Sequence, residues 1–252
     1  MDFKDLSVVV TGAGGGIGAA LVEGFGRAGA RVIGCDRDGR SLDPLPLAGR
    51  ATFDLADPAS IRAGAADLLA AHGAPDVVVM NAGWTRGESF ASMDEDAVGR
   101  EIDVNLTGVA RLTHALLGPM RARRAGAFVF VSSVNALAHY GNPAYSAAKA
   151  GILGLMRAVA TEGGRDGVRA NAVCPGSVRT PAWDHRIARD PAIPAALARL
   201  YPLGRIVTPA EVAEAVMFLA SARASGITGQ TLAVDAGLTA GNVPFIRDIL
   251  GE

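Results

Sequence analysis

Short apolar runs alternate with longer amphipathic stretches along this chain, and no other feature limits its fold as strongly. The apolar runs have the length of β-strands and lie at residues 7–11, 31–36, 76–81, 127–132, 169–173 and 231–235. The amphipathic stretches predict helices near residues 16–28, 58–71, 94–121, 143–163 and 209–220. Strands that alternate with helices predict a doubly wound α/β fold of the Rossmann type, with a parallel sheet covered by helices on both faces.

The length of 252 residues predicts one dinucleotide-binding catalytic domain over residues 1–252. Within it, the stretch from about residue 180 to 209 is interrupted by prolines that break any long helix. These are Pro181, Pro191, Pro194, Pro202 and Pro209. We interpret this stretch as a lid over the substrate.

Composition and charge disfavour several classes of protein. The net charge of −1 offers no broad positive surface for nucleic acid. No apolar run approaches the roughly 18 residues of a membrane span, so no membrane partner is expected. The N-terminal residues lack a basic, apolar signal segment, and we expect a cytoplasmic protein. Cys35 and Cys174 have no metal-ligand spacing, so neither a disulfide nor a metal site is expected.

A glycine-rich segment directly follows the first predicted strand and precedes the first predicted helix. Glycine lets the backbone approach a pyrophosphate at a helix N-terminus, and Gly12, Gly16 and Gly18 are the expected contacts. An ordinary tight turn is the alternative. Asp36 ends the second predicted strand, where its carboxylate can accept both hydroxyls of an adenosine ribose. This favours NAD over NADP despite the neighbouring Arg37, although Asp36 could instead cap a turn with Asp38 and Gly39.

Tyr145 and Lys149 lie four residues apart on a predicted helix, which places both side chains on one face. Asn142 and Pro143 suit the start of that helix. A nearby ammonium group should lower the phenol pKa from about 10 and let Tyr145 act as a general base. A serine from the preceding strand end could hold the substrate oxygen. By spacing alone, a tyrosine and a lysine on an exposed helix face are the commoner outcome.

Four motifs in order give the chain its resemblance to the classical short-chain dehydrogenase/reductase family, which covers nearly its whole length. They are Thr11-Gly-x-x-x-Gly-x-Gly18, Asn81-Ala82-Gly83, Tyr145-x-x-x-Lys149 and Pro175-Gly176. The resemblance implies that Tyr145 is the catalytic acid/base and that Lys149 also binds the nicotinamide ribose. It further implies that Asn105 shapes a water-linked proton relay and that Ser133, or alternatively Ser132, is the catalytic serine.

The same resemblance implies the remaining cofactor contacts and the assembly. Asp54 and Leu55 would lie beside the adenine, and Val178 and Thr180 would meet the carboxamide. The complete cofactor set comprises Gly12, Gly16, Ile17, Gly18, Asp36, Asp54, Leu55, Asn81, Ala82, Gly83, Tyr145, Lys149, Pro175, Gly176, Val178 and Thr180. Members of the family are commonly tetramers, so a homotetramer built on the helices near 94–121 and 143–163 is expected.

The substrate should lie against residues that follow the catalytic serine, the Asn81-Ala82-Gly83 motif and the lid. Besides Ser133 and Tyr145, this nominates Trp84, Asn135, Leu137, His139, Trp183 and His185. Aromatic faces beside polar groups would suit a sugar, sugar acid or polyol. Trp84 and Trp183 could equally be packing residues.

Three hypotheses of function follow from these residues. The first is an NAD-dependent dehydrogenase that interconverts a small polar secondary alcohol and its ketone. The second is a reductase of 3-oxoacyl thioesters or other ketones that uses NADPH. The third is a non-enzymatic nucleotide-binding regulator, since a fold alone does not establish activity.

Overall fold

The computed structural model describes residues 1–86, 89–180, 183 and 187–251. Its centre is one parallel sheet of seven strands in the order β3-β2-β1-β4-β5-β6-β7. The strands are β1 Ser7–Thr11, β2 Arg31–Asp36, β3 Gly49–Thr52, β4 Val77–Met80, β5 Gly126–Val131, β6 Val168–Pro175 and β7 Thr231–Val234. The chain reverses its direction of winding between β1 and β4, and parallel α/β sheets bind ligands at such a switch point.

Helices connect the strands and cover both faces of the sheet. They are α1 Gly16–Arg27, α2 Pro58–His72, α3 Glu95–Ile102, α4 Gly108–Arg123, α5 Pro143–Gly163, α6 Ile193–Ala198 and α7 Pro209–Ala220. A short α-helical turn, Val243–Phe245, follows near the C-terminus. The predicted doubly wound α/β fold is confirmed.

The core has two layers because successive residues of a strand point to opposite faces. Val8 and Val10 pack with α1 and α7 on one face. Val9 packs with α2, α4 and α5 on the other. The central strands are therefore apolar on both sides, as their uninterrupted valine runs predict.

Two elements differ from the sequence-based expectation. The strand Gly49–Thr52 was not predicted, because it is a four-residue edge strand of half-exposed side chains without an apolar run. The single helix predicted over residues 94–121 is divided into α3 and α4 by a π-helical turn, Asp103–Thr107. A π-helical turn adds one residue to the helix and so changes the direction of nearby side chains. Such turns are frequent at functional sites.

The proline-interrupted stretch after β6 starts and ends at a parallel bridge between Val178 and Val207. Arg179 N donates to Val207 O at 2.8 Å, and Val207 N donates to Ser177 O at 3.1 Å. Between these points the described residues include α6 and the buried Tyr201. The two ends of the stretch are thus fixed to each other.

No helix within the described residues is long and apolar enough to cross a membrane. The same residues contain no cluster of three or more His, Cys, Asp or Glu side chains arranged to hold a metal ion.

Candidate active site

The glycine-rich turn after β1 packs closely against the residues that follow β4. Gly12 has φ of 63°, and a Cβ added to it would lie 2.8 Å from Ala82 Cα. A Cβ on Gly18 would collide with the carbonyl oxygen of Gly12. Helix α1 then begins without a side-chain cap and without an acidic residue in its first turn. Its first N–H groups and their partial positive charge are therefore suited to an anionic pyrophosphate.

Asn81 joins the ends of β1 and β4 beside this turn. Its Nδ2 donates to Thr11 O at 3.0 Å and to Gly12 O at 3.1 Å. In the other direction, Asn81 N and Ala82 N both donate to Thr11 Oγ1 at 3.0 Å. The backbone around the turn is consequently held by four hydrogen bonds.

Asp36 lies at the end of β2, at the outer side of the same turn. Its Oδ2 accepts a hydrogen bond from Gly14 N at 3.1 Å, and its Oδ1 accepts a longer one, of 3.4 Å, from Asp38 N. The carboxylate of Asp36 is thus held at the mouth of a cavity of about 330 Å³. Of the proposed cofactor residues, this cavity is lined by Gly12, Gly16, Ile17, Gly18, Asp36, Asp54, Leu55, Asn81, Ala82, Gly83 and Thr180.

A second cavity, of about 1110 Å³, lies over the ends of β5 and β6. The remaining proposed cofactor residues, Tyr145, Lys149, Pro175, Gly176 and Val178, line this larger cavity. Ile17, Asn81, Gly83, Trp84 and Thr180 line both cavities. The two spaces are therefore adjacent, and a long cofactor can run from one into the other.

Lys149 lines the larger cavity, and both Lys149 and Asn105 lie beside Gly83. Lys149 is 3% exposed, and its Nζ donates to Val131 O at 3.0 Å. Asn105 sits in the π-helical turn, where its Nδ2 donates to Trp84 O at 2.7 Å and its Oδ1 accepts from Trp84 N at 3.0 Å. A Cβ on Gly83 would lie 2.9 Å from Asn105 Oδ1 and 3.2 Å from Lys149 Nζ. The site thus has room for only a glycine between the two groups.

Tyr145 lies one helical turn before Lys149 on α5, with the Lys149 Nζ 5.5 Å from its ring centroid. Burial raises the pKa of Tyr145 to about 12; a hydrogen bond with Ser133 lowers it, and the Glu101 and Cys174 charges raise it. Burial lowers the pKa of Lys149 to about 8. The expected reduction of the Tyr145 pKa is therefore wrong for this structure, because desolvation of the phenolate outweighs the favourable interactions.

The two serines at the end of β5 have different surroundings. Ser132 Oγ donates to Lys149 O at 2.8 Å and so fastens α5 to the strand end. Ser133 Oγ donates to Asn135 Oδ1 at 3.3 Å and accepts from Asn135 N at 3.2 Å, and its hydroxyl is close enough to Tyr145 to lower the pKa of the phenol. Ser133 therefore presents its hydroxyl beside the phenol, where a substrate oxygen can contact both groups.

The larger cavity includes only some of the residues nominated for the substrate. Trp84, Asn135 and Trp183 line it together with Ser133 and Tyr145. Leu137 and His139 are exposed and are not among the described lining, because they follow the short helical turn Val134–Ala136 onto the surface. His185 lies outside the described residues.

Several residues of the site were missed by the sequence-based interpretation. Glu101 is 4% exposed and lies one turn before Asn105, and its Oε1 accepts from Arg86 N at 3.2 Å. Tyr201 is a buried residue of the lid stretch, and its Oη accepts from Ser177 N at 3.1 Å. A carboxylate four residues before Asn105 was a possible signal for the first. No local pattern marks the second, because its contact spans 24 residues.

The asparagine that begins α5 also differs from expectation. Asn142 occupies the N-cap position, but its side chain makes no capping hydrogen bond. Its backbone is left-handed, with φ of 52°, and the residue lines the larger cavity. Asn142 therefore occupies the N-cap position of the helix but does not cap it through its side chain.

Known proteins resemble this chain over nearly its whole length. A family model described as enoyl-(acyl carrier protein) reductase matches residues 12–239. A solved oxidoreductase of the short-chain dehydrogenase/reductase family from Burkholderia thailandensis shares 42% identity, with a TM-score of 0.91 over 99% of this chain and 98% of that one.

Two curated relatives are nearly as similar. An uncharacterized oxidoreductase of Schizosaccharomyces pombe is 39% identical over 97% of this chain and 95% of its own length. A 3-oxoacyl-[acyl-carrier-protein] reductase FabG of Thermotoga maritima is 37% identical over 91% of this chain and 96% of its own length.

The fold and the site thus define an oxidoreductase that uses a nicotinamide cofactor and acts on CH–OH groups. The chain belongs to the classical short-chain dehydrogenase/reductase family.

Proposed function

We propose that this protein is an NAD-dependent dehydrogenase that interconverts a small polar secondary alcohol and its ketone, with a sugar, sugar acid or polyol as the substrate. One observation carries the proposal: Ser133 and Tyr145 adjoin in a cavity whose lining combines tryptophans with amide groups. Among the described lining residues, the charged side chains are Arg86 and Lys149, and there is no carboxylate. A substrate with many hydroxyls, or with an acid group, is compatible with these surroundings.

In this proposal Tyr145 moves the proton. During oxidation its phenolate takes the hydroxyl proton of the alcohol, and during reduction the phenol returns a proton to the carbonyl oxygen. Ser133 donates to or accepts from the same oxygen and so orients the reacting carbon. Lys149 stabilises the phenolate. Asn105 shapes a water-linked proton relay that leads to Lys149.

The bound nicotinamide would accept or return the hydride. The residues fit such a cofactor, because the uncapped start of α1 can hold the pyrophosphate and Lys149 lies within reach of the nicotinamide half. Asp36 supports NAD, since its carboxylate can accept from the ribose hydroxyls and would repel a 2′-phosphate.

The alternative is a ketone reductase that uses NADPH, for example on a 3-oxoacyl thioester. The relative named FabG favours it, as does Arg37 beside Asp36. We also propose that residues 1–252 form one catalytic domain with a lid at about 180–209. A homotetramer and a cytoplasmic location complete this proposal.

Cofactor titration of the purified protein tests the choice between NAD and NADP. Wild type should bind NADH more tightly than NADPH, as followed by the fluorescence of the reduced cofactor. Asp36→Ala should lower the NADH:NADPH affinity ratio by about tenfold or more, equivalent to at least about 1.4 kcal/mol. Asp38→Ala is the matched control, since this neighbouring carboxylate accepts from Arg40 N instead. Tighter binding of NADPH by wild type would support the reductase.

A further inference from the structure

Among the described residues that line the larger cavity are four asparagines: Asn81, Asn135, Asn142 and Asn242. An amide group can donate two hydrogens and accept at its oxygen, so each asparagine could contact either a substrate or the protein. Asn142 differs from the other three in the hydrogen bonds that its side chain makes.

Three of these amides make hydrogen bonds within the protein, Asn81 and Asn135 through Nδ2 and Asn242 through Oδ1. Asn81 donates to the backbone of Thr11 and Gly12, as described above. Asn242 Oδ1 accepts from Phe245 N at 3.1 Å and so caps the C-terminal turn. Asn135 Nδ2 donates to Gly141 O at 2.8 Å and to Ser146 Oγ at 3.0 Å, which uses both of its hydrogens. Asn135, although nominated for the substrate, therefore has little hydrogen-bonding capacity left for one.

Asn142 is different, because within the described part of the chain its side chain makes no hydrogen bond. It begins α5 three residues before Tyr145 and does not cap the helix. Capping by an asparagine side chain usually contributes about 1 kcal/mol, and that contribution is absent here. Asn142 instead lines the cavity that contains Ser133 and Tyr145.

We propose that the Asn142 amide binds a second hydroxyl of the substrate, besides the one that reacts at Tyr145. This inference rests on the proposed dehydrogenase function and narrows its substrate to an alcohol with at least two hydroxyl groups. A hydroxyl both donates and accepts, as does the amide, so the two groups are complementary. A site built to hydrogen-bond a hydroxyl discriminates strongly against the analogue that lacks it.

A purely backbone role for Asn142 is the competing explanation. Asparagine is enriched among non-glycine residues with left-handed backbone, and a φ of 52° alone could account for its presence. Glycine adopts this conformation at least as easily but has no amide. Asn142→Gly therefore removes the proposed contact without imposing backbone strain.

The experiment compares two alcohols that differ by one hydroxyl, butane-2,3-diol and butan-2-ol, with NAD as the oxidant. Wild type should prefer the diol in kcat/KM. Asn142→Gly should reduce that preference by about tenfold or more, while butan-2-ol changes by no more than about twofold. Asn142→Asp, which keeps only acceptor oxygens, should give an intermediate preference. Asn242→Ala is the matched control: it removes another cavity amide, and it should leave the preference of the enzyme unchanged.

Failure of this inference can be told from failure of the proposed function. If wild type oxidises both alcohols and the preference survives in Asn142→Gly, the amide does not bind the hydroxyl. The dehydrogenase function would then stand. If wild type oxidises neither alcohol nor any polyol with NAD, while it reduces ketones with NADPH, both proposals fall together.

Discussion

The two halves of the active-site edge are built by different means. On the cofactor side, the end of β1 and the end of β4 are joined by backbone and short polar groups, with Thr11, Gly12 and Asn81 linked by hydrogen bonds of 3.0 to 3.1 Å. On the substrate side, longer side chains from β5, α5 and the lid stretch surround a cavity more than three times as large, about 1110 Å³ against about 330 Å³. The comparison teaches that backbone geometry determines the cofactor site, whereas individual side chains determine the chemistry and the substrate.

The largest effect should come from the substrate half. Tyr145→Phe removes the phenolic proton carrier and should lower kcat by about 10²–10⁴-fold, the usual contribution of a positioned acid/base. Affinity for NAD should change little, because the turn that binds the pyrophosphate is untouched. Steady-state kinetics and cofactor titration measure the two quantities.

Tyr140→Phe is the matched control, since Tyr140 lines the same cavity but is exposed. We expect its kcat to fall by less than about tenfold. Equal losses in the two variants would mean that Tyr145 has no special part in proton transfer.

The next effect should come from the cofactor half and appear in binding. Gly12→Ala places a Cβ against Ala82 at a residue with φ of 63°. The left-handed conformation costs a non-glycine residue about 1–2 kcal/mol. The clash with Ala82 and this strain should displace the turn from the geometry that binds the pyrophosphate, so the KM for NAD should rise by about tenfold.

A glycine of α1 provides the comparison for that result. Gly26→Ala meets open space and should leave the KM for NAD unchanged. If Gly12→Ala lowered kcat and left cofactor affinity intact, the glycine-rich turn would serve the chemistry and not the binding of the cofactor. That result would contradict the division between the two halves.

A smaller effect should appear where the halves meet, at Glu101. Its charge raises the pKa of both Tyr145 and Lys149. Glu101→Gln keeps an oxygen that can accept from Arg86 N but removes the charge, so both pKa values should fall. Oxidation needs the deprotonated form of Tyr145, so kcat/KM for the alcohol rises with pH as Tyr145 loses its proton. In Glu101→Gln this rise should occur at lower pH.

The shift of the pH profile in Glu101→Gln can be assigned to the Glu101 charge. Ser133 and Cys174 also act on the pKa of Tyr145, but neither is altered in Glu101→Gln. A shift of the pH profile to higher pH, or an unchanged profile, would show that the Glu101 charge does not reach the proton-transfer group.

The smallest effect should be on stability, at the turn after β7 beneath the lid stretch. Ala236 has φ of 53°, and Asp235 accepts from Gly237 N and Thr239 N around it. Ala236→Gly should relieve left-handed strain and raise the free energy of unfolding by about 0.5 kcal/mol, net of the flexibility of glycine. The urea midpoint measures this change.

The same substitution inside β7 should act in the opposite direction. Ala233→Gly removes a side chain from an extended strand and should lower the urea midpoint. A lower midpoint for Ala236→Gly as well would show that the turn is not strained.

The same division explains what could be predicted from the sequence. The glycine-rich turn and the pair Tyr145 and Lys149 depend on local spacing, and the parallel sheet follows from alternating strands and helices. The interruption at Asn105 could not be predicted, because 94–121 has a continuous helical pattern and the π-helical turn is visible only in the structure. The direction of the Tyr145 pKa depends on burial by distant elements. The sequence also predicts Asn142 as a helix cap, and only the structure shows that its side chain makes no capping hydrogen bond.

The most direct test of the central claim is the formation of NADH by the purified protein with NAD and a panel of polyols, sugars and sugar acids. Turnover with at least one of them, lost in Tyr145→Phe, is the predicted result. No NADH with any of the panel, together with oxidation of NADPH by 3-oxoacyl thioesters, would contradict the account.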